Sequence, residues 1–176
     1  EPDEAGLASK TPDQSDYQYG SYVLVYAEEV NSSKFLGWTE NDNFISTDPV
    51  YYFRITTHRD LTAASAKLHS ADYQDANRQA PGNWAIDLEE VLRVQGYWRF
   101  GYQISDQTPD GYIATKGNTN GTLHSADYRE PYWEIDIDEM ARVMSYWRAL
   151  GYHPDDSGID GYAPGAQTVK SFTKYD

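Results

Sequence analysis

The sequence predicts an α+β protein, a small sheet domain followed by two tandem loop-helix repeats. Three observations carry that prediction. Residues 21–66 alternate strand-like runs with turn clusters. Residues 85–102 and 134–152 switch to a helical period. The hexapeptide Leu-His-Ser-Ala-Asp-Tyr occurs at 68–73 and again at 123–128, each time opening a longer stretch that aligns with the other.

Residues 1–19 are acidic and poor in aliphatics, and read as a flexible arm. A sheet domain is expected over 20–66. Within it Tyr51, Phe53 and Ile55 fall on one face of a strand, and Tyr52, Arg54 and Thr56 on the other. The repeats occupy 67–165, one over 68–114 and one over 123–165. Each helix has a legible start: Asp87 and Asp136 stand at the N-cap, and Glu90 and Glu139 stand three residues later as a capping box. Glu89 with Arg93, and Asp138 with Arg142, are i,i+4 pairs in the favourable order. Gly101 and Gly151 mark the stops. Ile137, Met140, Ala141, Met144 and Trp147 are expected to face the core. The tail, 166–176, has a strand-like pattern.

Composition narrows the function. Sixteen Tyr and 5 Trp against 5 Phe imply a core and surface rich in rings that want a polar partner. A net charge of −14 argues against nucleic acid and anionic membrane as partners. No cysteine means no disulfide, thiolate metal site or cysteine nucleophile. No apolar run reaches membrane-spanning length. A start at Glu1, without Met, is expected of a processed, exported chain, and equally of a trimmed one.

The repeats align well past the hexapeptide. Trp84 matches Trp133, Asp87 matches Asp136, Glu90 matches Glu139, and Tyr-Trp-Arg at 97–99 matches 146–148. Gly-Tyr and then Asp-Gly-Tyr follow in both. This unit resembles the dockerin-related, EF-hand-like tandem repeats of bacterial surface and secreted proteins. The preceding segment, with "FLGWTEN", "STDPVYYFRIT" and "DLTA", resembles part of a divergent internalin-type B-repeat. These resemblances imply a β-grasp-like sheet domain followed by two EF-hand-like repeats, and a secreted or cell-surface protein of a bacterium.

Three chemistries compete for the repeated residues. His69, Ser70 and Asp72 are neighbours in sequence, whereas triad residues converge through the fold, and no nucleophile elbow or phosphate loop accompanies them. Calcium has more support. Asp127 to Glu139 spans one residue more than an EF-hand loop, with Asp136 near the ninth position. Asp72, Asn83, Asp87 and Glu90, with Asp75 or Asn77, are the first repeat's counterparts. Asp155, Asp156 and Asp160, paralleled by Asp106 and Asp110, form a further acidic loop. Against calcium, Arg129, Pro131 and Tyr132 stand where oxygen ligands are wanted, and the cap role alone explains Asp87, Glu90, Asp136 and Glu139. The four histidines, at 58, 69, 124 and 153, lack the spacing of a helical zinc site. Trp84, Trp98, Trp133 and Trp147 are expected in a core rather than on sugar. Asn31 and Asn120 fit glycosylation sequons.

The expected function is therefore non-enzymatic. It is an extracellular structural protein that joins copies of itself into an open filament, with 1–19 or 166–176 completing a neighbour's sheet. The alternative is a calcium-dependent, dockerin-like module for a partner protein or glycan.

Overall fold

The computed structural model describes residues 7–29, 33–41, 43–74 and 82–166. Among them lie ten strands in four small antiparallel sheets, and two helices. The chain divides into two compact units between Lys67 and Leu68.

The first unit holds two three-stranded sheets. One has the order β1-β2-β5, from Leu7–Thr11, Tyr22–Glu28 and Val50–Arg54. The other has the order β4-β3-β6, from Asn43–Ser46, Ser33–Glu40 and Thr62–Lys67. Alternation decides what each strand buries: Val23 and Val25 point inward from β2, and Tyr51 and Phe53 from β5. They meet Trp38 and Ala63 of the second sheet in one core. The Trp38 indole N–H donates to the Asp48 carbonyl at 3.1 Å, which satisfies the one polar atom that this ring buries. β3 slips register between Phe35 and Gly37 against β6, a bulge that bends the strand. At Gly37, with φ +157°, an added Cβ would stand 2.7 Å from the Ser46 carbonyl and from the Phe44 ring, so only glycine fits.

The second unit contains the repeats. Each opens on a turn, closed by Asp72 N–H to His69 O and by Asp127 N–H to His124 O, both at 2.8 Å. A helix follows: α1 at Leu88–Phe100, then α2 at Ile137–Arg148. After α1 the chain forms the hairpin β7-β8 (Gln103–Ile104 with Tyr112–Ile113). After α2 it forms β9-β10 (Tyr152–Pro154 with Tyr162–Pro164). Both capping boxes form, at Asp87 with Glu90 and at Asp136 with Glu139. One core takes residues from both repeats, including Val94, Tyr97 and Tyr102 from the first and Val143, Tyr146 and Tyr152 from the second.

This architecture corrects the expected fold class and the resemblances behind it. An EF-hand flanks its loop with two helices. Here each repeat has one helix, because the hexapeptide folds as a tight turn and the Asp-Gly-Tyr segment reverses into a hairpin. A β-grasp lays a helix across one sheet, whereas the described residues of the first unit hold two small sheets and no helix. The arm is corrected in part as well: its residues 7–11 form β1 and pair with the chain's own β2, Leu7 opposite Glu28 and Thr11 opposite Leu24. The tail from 167 on lies outside the described residues. The inward face of α2 is also displaced from the one expected. Glu139, Met140, Val143 and Tyr146 are buried, while Ile137 is 60% exposed and Met144 38%. Trp84, Trp133 and Trp147 pack partly buried against the core, and Trp98 is exposed.

Gly37→Ala is expected to destabilise the first unit by about 2 kcal/mol, because the Phe44 ring can shift but the Ser46 carbonyl cannot. Urea unfolding followed by tryptophan fluorescence measures it.

Candidate functional site

The residues that carried the chemical expectations converge at the centre of the second unit. His69 and His124 are fully buried, with ring centroids 5.9 Å apart. Each turn lies among the tyrosines of the other repeat. His69 meets Tyr146, Tyr152 and Tyr162. His124 meets Tyr97, Tyr102 and Tyr112. Between them the Ser70 and Ser125 hydroxyls touch at 2.8 Å. Ser70 N–H donates to the Ser125 hydroxyl at 3.0 Å, and Ser125 N–H donates to the Ser70 hydroxyl at 3.1 Å.

The aspartates complete the exchange. The Tyr152 phenol donates to Asp72 Oδ2 at 2.7 Å, and the Tyr102 phenol donates to Asp127 Oδ2 at 2.5 Å. Those same phenol oxygens accept the His69 and His124 backbone N–H groups, at 3.0 and 3.3 Å. Burial first, and then the adjacent carboxylate, holds both phenols well above the ordinary tyrosine range, so they remain donors. Each aspartate also fixes an unusual backbone. Trp84 and Trp133 have φ of +65° and +69°, a region that bulky residues rarely enter. Their N–H groups donate to Asp72 at 2.8 Å and Asp127 at 2.6 Å, and their rings lie 5.2 Å from Tyr152 and Tyr102. The match is incomplete on one side. Asp72 Oδ1 accepts Asn83 N–H at 2.9 Å, whereas Asp127 Oδ1 is buried without a partner.

In each histidine, Nδ1 accepts a backbone N–H, from Ala71 or Ala126, at 3.1 Å. The ring proton therefore sits on Nε2, which has no oxygen or nitrogen acceptor and faces surrounding rings. Such a site favours the neutral imidazole. Burial pushes His69 down to about 4, with Asp160 opposing and Arg142 adding to the shift. Burial, and then the neighbouring His69 and Arg93, drives His124 well below its ordinary range.

The remaining calcium candidates, apart from Asp156, are engaged by N–H, O–H and guanidinium donors. Glu90 accepts from the backbone of Tyr73, Gln74 and Asp87, and Glu139 from that of Tyr128, Arg129 and Asp136. Burial pushes Glu90 up to about 8 against those donors, and it raises Glu139 in the same direction. Asp87 and Asp136 cap their helices, and Arg129 bridges Asp136 and Asp138 at 2.9 and 2.8 Å, setting a guanidinium where a cation would lie. The Asn83 side chain accepts Ala85 N–H at 3.0 Å. Asp110 and Asp160 are buried against an arginine and a tyrosine of their own repeat: Arg93 and Tyr97, Arg142 and Tyr146. Asp155 accepts the Ser157 backbone and hydroxyl, which hold it below the usual carboxylate range, and Asp156 is exposed. Asp75 and Asn77 lie outside the described residues. Among the described residues, no group of three or more His, Cys, Asp or Glu side chains could hold a metal ion.

The arrangement is thus a buried polar lattice. Ser70, His69 and Asp72 are close but do not form a relay: the histidine Nδ1 accepts from the main chain, and the serine hydroxyl faces its counterpart. Periodicity could not have found the Arg-Asp-Tyr sets, although the matching Arg93 and Arg142, and Asp110 and Asp160, of the alignment were a signal for them. Compared with known protein families, curated proteins and solved structures, the chain has no match.

Two outcomes follow. The unfolded chain titrates its histidines near 6.5, while the fold excludes the proton down to about 4 at His69. The histidine contribution is fully present above that unfolded value and is lost as pH falls below it, by about 1.4 kcal/mol per pH unit for each ring. NMR of the folded protein should show the His69 and His124 rings neutral, with the proton on Nε2, from pH 7.5 to 5.5. Titration of either ring within that range would refute the assignment. Arg142→Met leaves Asp160 buried without its cation and should cost on the order of 3 kcal/mol in urea unfolding. Adding Asp160→Asn should restore part of that loss.

Proposed function

We propose that the chain is a non-enzymatic extracellular structural protein that joins copies of itself through the open edge of β5. The edge geometry carries this reading. Ile55 N–H donates to Ser21 O, and Ala27 N–H donates to Pro49 O, so odd-numbered positions of this segment face β2. By alternation, the peptide groups of Tyr52 and Arg54 point away from the sheet. Among the described residues those groups meet no further strand, since β5 ends its sheet.

Natural edges are guarded by lysine, proline, bulges or shortness. Val50–Arg54 reads Val-Tyr-Tyr-Phe-Arg, without lysine or proline, and pairs with β2 without a register shift. The outer face beside it is aromatic. Tyr22 and Tyr52 stack in the open, with centroids 5.0 Å apart and planes 6° apart, and Val50 is exposed next to them. A strand added there gains main-chain hydrogen bonds and covers apolar area at once. When β5 of one copy meets β1 of the next, donor and acceptor differ, so the assembly grows as an open fibre.

The groups able to do chemistry support the non-enzymatic part, since His69, His124, Asp72 and Asp127 are buried and hold the core together. This reading needs no Ca²⁺, since among the described residues N–H donors and Arg93, Arg129 and Arg142 engage most of the acidic candidates. The extracellular setting belongs to the same proposal and rests on the acidic, tyrosine-rich, cysteine-free composition. Among the described residues no helix is long and apolar enough to cross a membrane.

Tyr52→Pro removes one outward N–H and leaves the β2 ladder intact. The unaltered chain should sediment as a concentration-dependent series and give fibres by negative-stain electron microscopy, and the variant should stay monomeric. A chain that remains a monomer at millimolar concentration would overturn the proposal.

A further inference from the structure

The inner side of the β1-β2-β5 sheet holds a cleft of about 610 Å³, within the ~300–1,000 Å³ range of small-ligand sites. A second hollow of about 570 Å³ shares Lys10, Val25 and Leu61 with it. Val23, Val25, Phe53 and Ile55 form an apolar floor. Tyr17 and Tyr19 also line the cleft, and Tyr19 is 79% exposed. Thr56, Thr57, His58 and Asp60 line another part of the cleft.

The charges around the cleft are balanced and largely engaged. Arg59 binds Glu40 at 2.6 Å and lies over the Phe53 ring at 5.0 Å. Lys10 donates to the Gln14 carbonyl at 2.9 Å and lies over Tyr17 at 5.6 Å. Asp16 accepts the Ser15 hydroxyl at 3.1 Å. Two cations and two carboxylates therefore line the cleft of a chain whose net charge is −14. An anionic ligand finds its counter-charges braced elsewhere. The side chains of Thr56, Thr57, His58 and Asp60, by contrast, make no hydrogen bond among the described residues and offer both donors and acceptors.

An uncharged ligand with an apolar face and a rim of hydroxyls satisfies every part of this site. We propose that the cleft binds a neutral sugar chain. The C–H face of one ring packs on Tyr19 and the Phe53 side of the floor, and its hydroxyls bond Thr57, His58 and Asp60. Two adjoining hollows suit a chain of several rings rather than a single one.

Affinity electrophoresis tests this with a soluble β-glucan, xylan and mannan as neutral probes and alginate as the charged one. At least one neutral polymer should slow the intact chain. Tyr19→Ala and Asp60→Ala, both at exposed positions, should weaken that retardation tenfold or more. Tyr52→Pro, which stays monomeric and lies on the opposite face of the sheet, should bind as the intact chain does, so the result is independent of self-association through β5. The site is disproved by no retardation in any neutral polymer, by retardation in alginate alone, or by retardation that survives Tyr19→Ala.

Discussion

The second unit depends on one exchange: each His-Ser-Ala-Asp turn is buried among the tyrosines of the other repeat. His69 has no aromatic surround without Tyr146, Tyr152 and Tyr162, and Asp72 loses a phenol donor without Tyr152. The reverse holds for His124 and Asp127 with the first repeat. Neither repeat has a core of its own, so the two must fold as one cooperative body. The exchange also explains the preference for Tyr over Phe. A phenylalanine at 102 or 152 would fill the same space and leave a buried carboxylate short of a donor.

Polar burial of this kind has a thermodynamic character unlike that of an apolar core. Each carboxylate is stabilised only while several separate N–H or O–H groups stay aimed at it, so small displacements are costly. Asp72, through its bonds to Asn83, Trp84 and Tyr152, fastens a loop, a strained backbone and the far repeat with one side chain. The missing partner of Asp127 Oδ1 makes the second repeat's loop the less complete of the two. At that position proline and tyrosine stand in the loop where the first repeat has Gly82 and Asn83.

Local signals were legible in the sequence. The capping boxes at Asp87 and Asp136 need only neighbouring residues, as does the alternation that sends Tyr51 and Phe53 inward. What depended on distant residues was not. A helical period puts Ile137 and Met144 inside only if apolar residues mark the buried face. The actual face runs through Glu139, a carboxyl group that can be buried because three backbone N–H groups converge on it. The EF-hand reading failed for the same reason: the acidic spacing was real, but its oxygens answer to the main chain and to arginine. At the centre, the histidines, serines and aspartates were visible as a doubled motif. Their placement in each other's repeat could not be read from either copy.

The contact between Ser70 and Ser125 joins equivalent positions of the two repeats, and equivalent atoms meet only at a two-fold axis. The histidine, serine and aspartate contacts around it obey the same rule, each from the first repeat to the second having its mirror in the opposite direction; the Tyr152 N–H to Trp84 carbonyl bond and the Lys116–Glu134 pair stand outside it. A single repeat thus displays a surface complementary to itself. The unit is built as an isologous dimer is, with both halves carried on one polypeptide. One polypeptide can hold two unlike halves, as no homodimer of identical subunits can, and the unmatched oxygen of Asp127 is where that unlikeness reaches the centre.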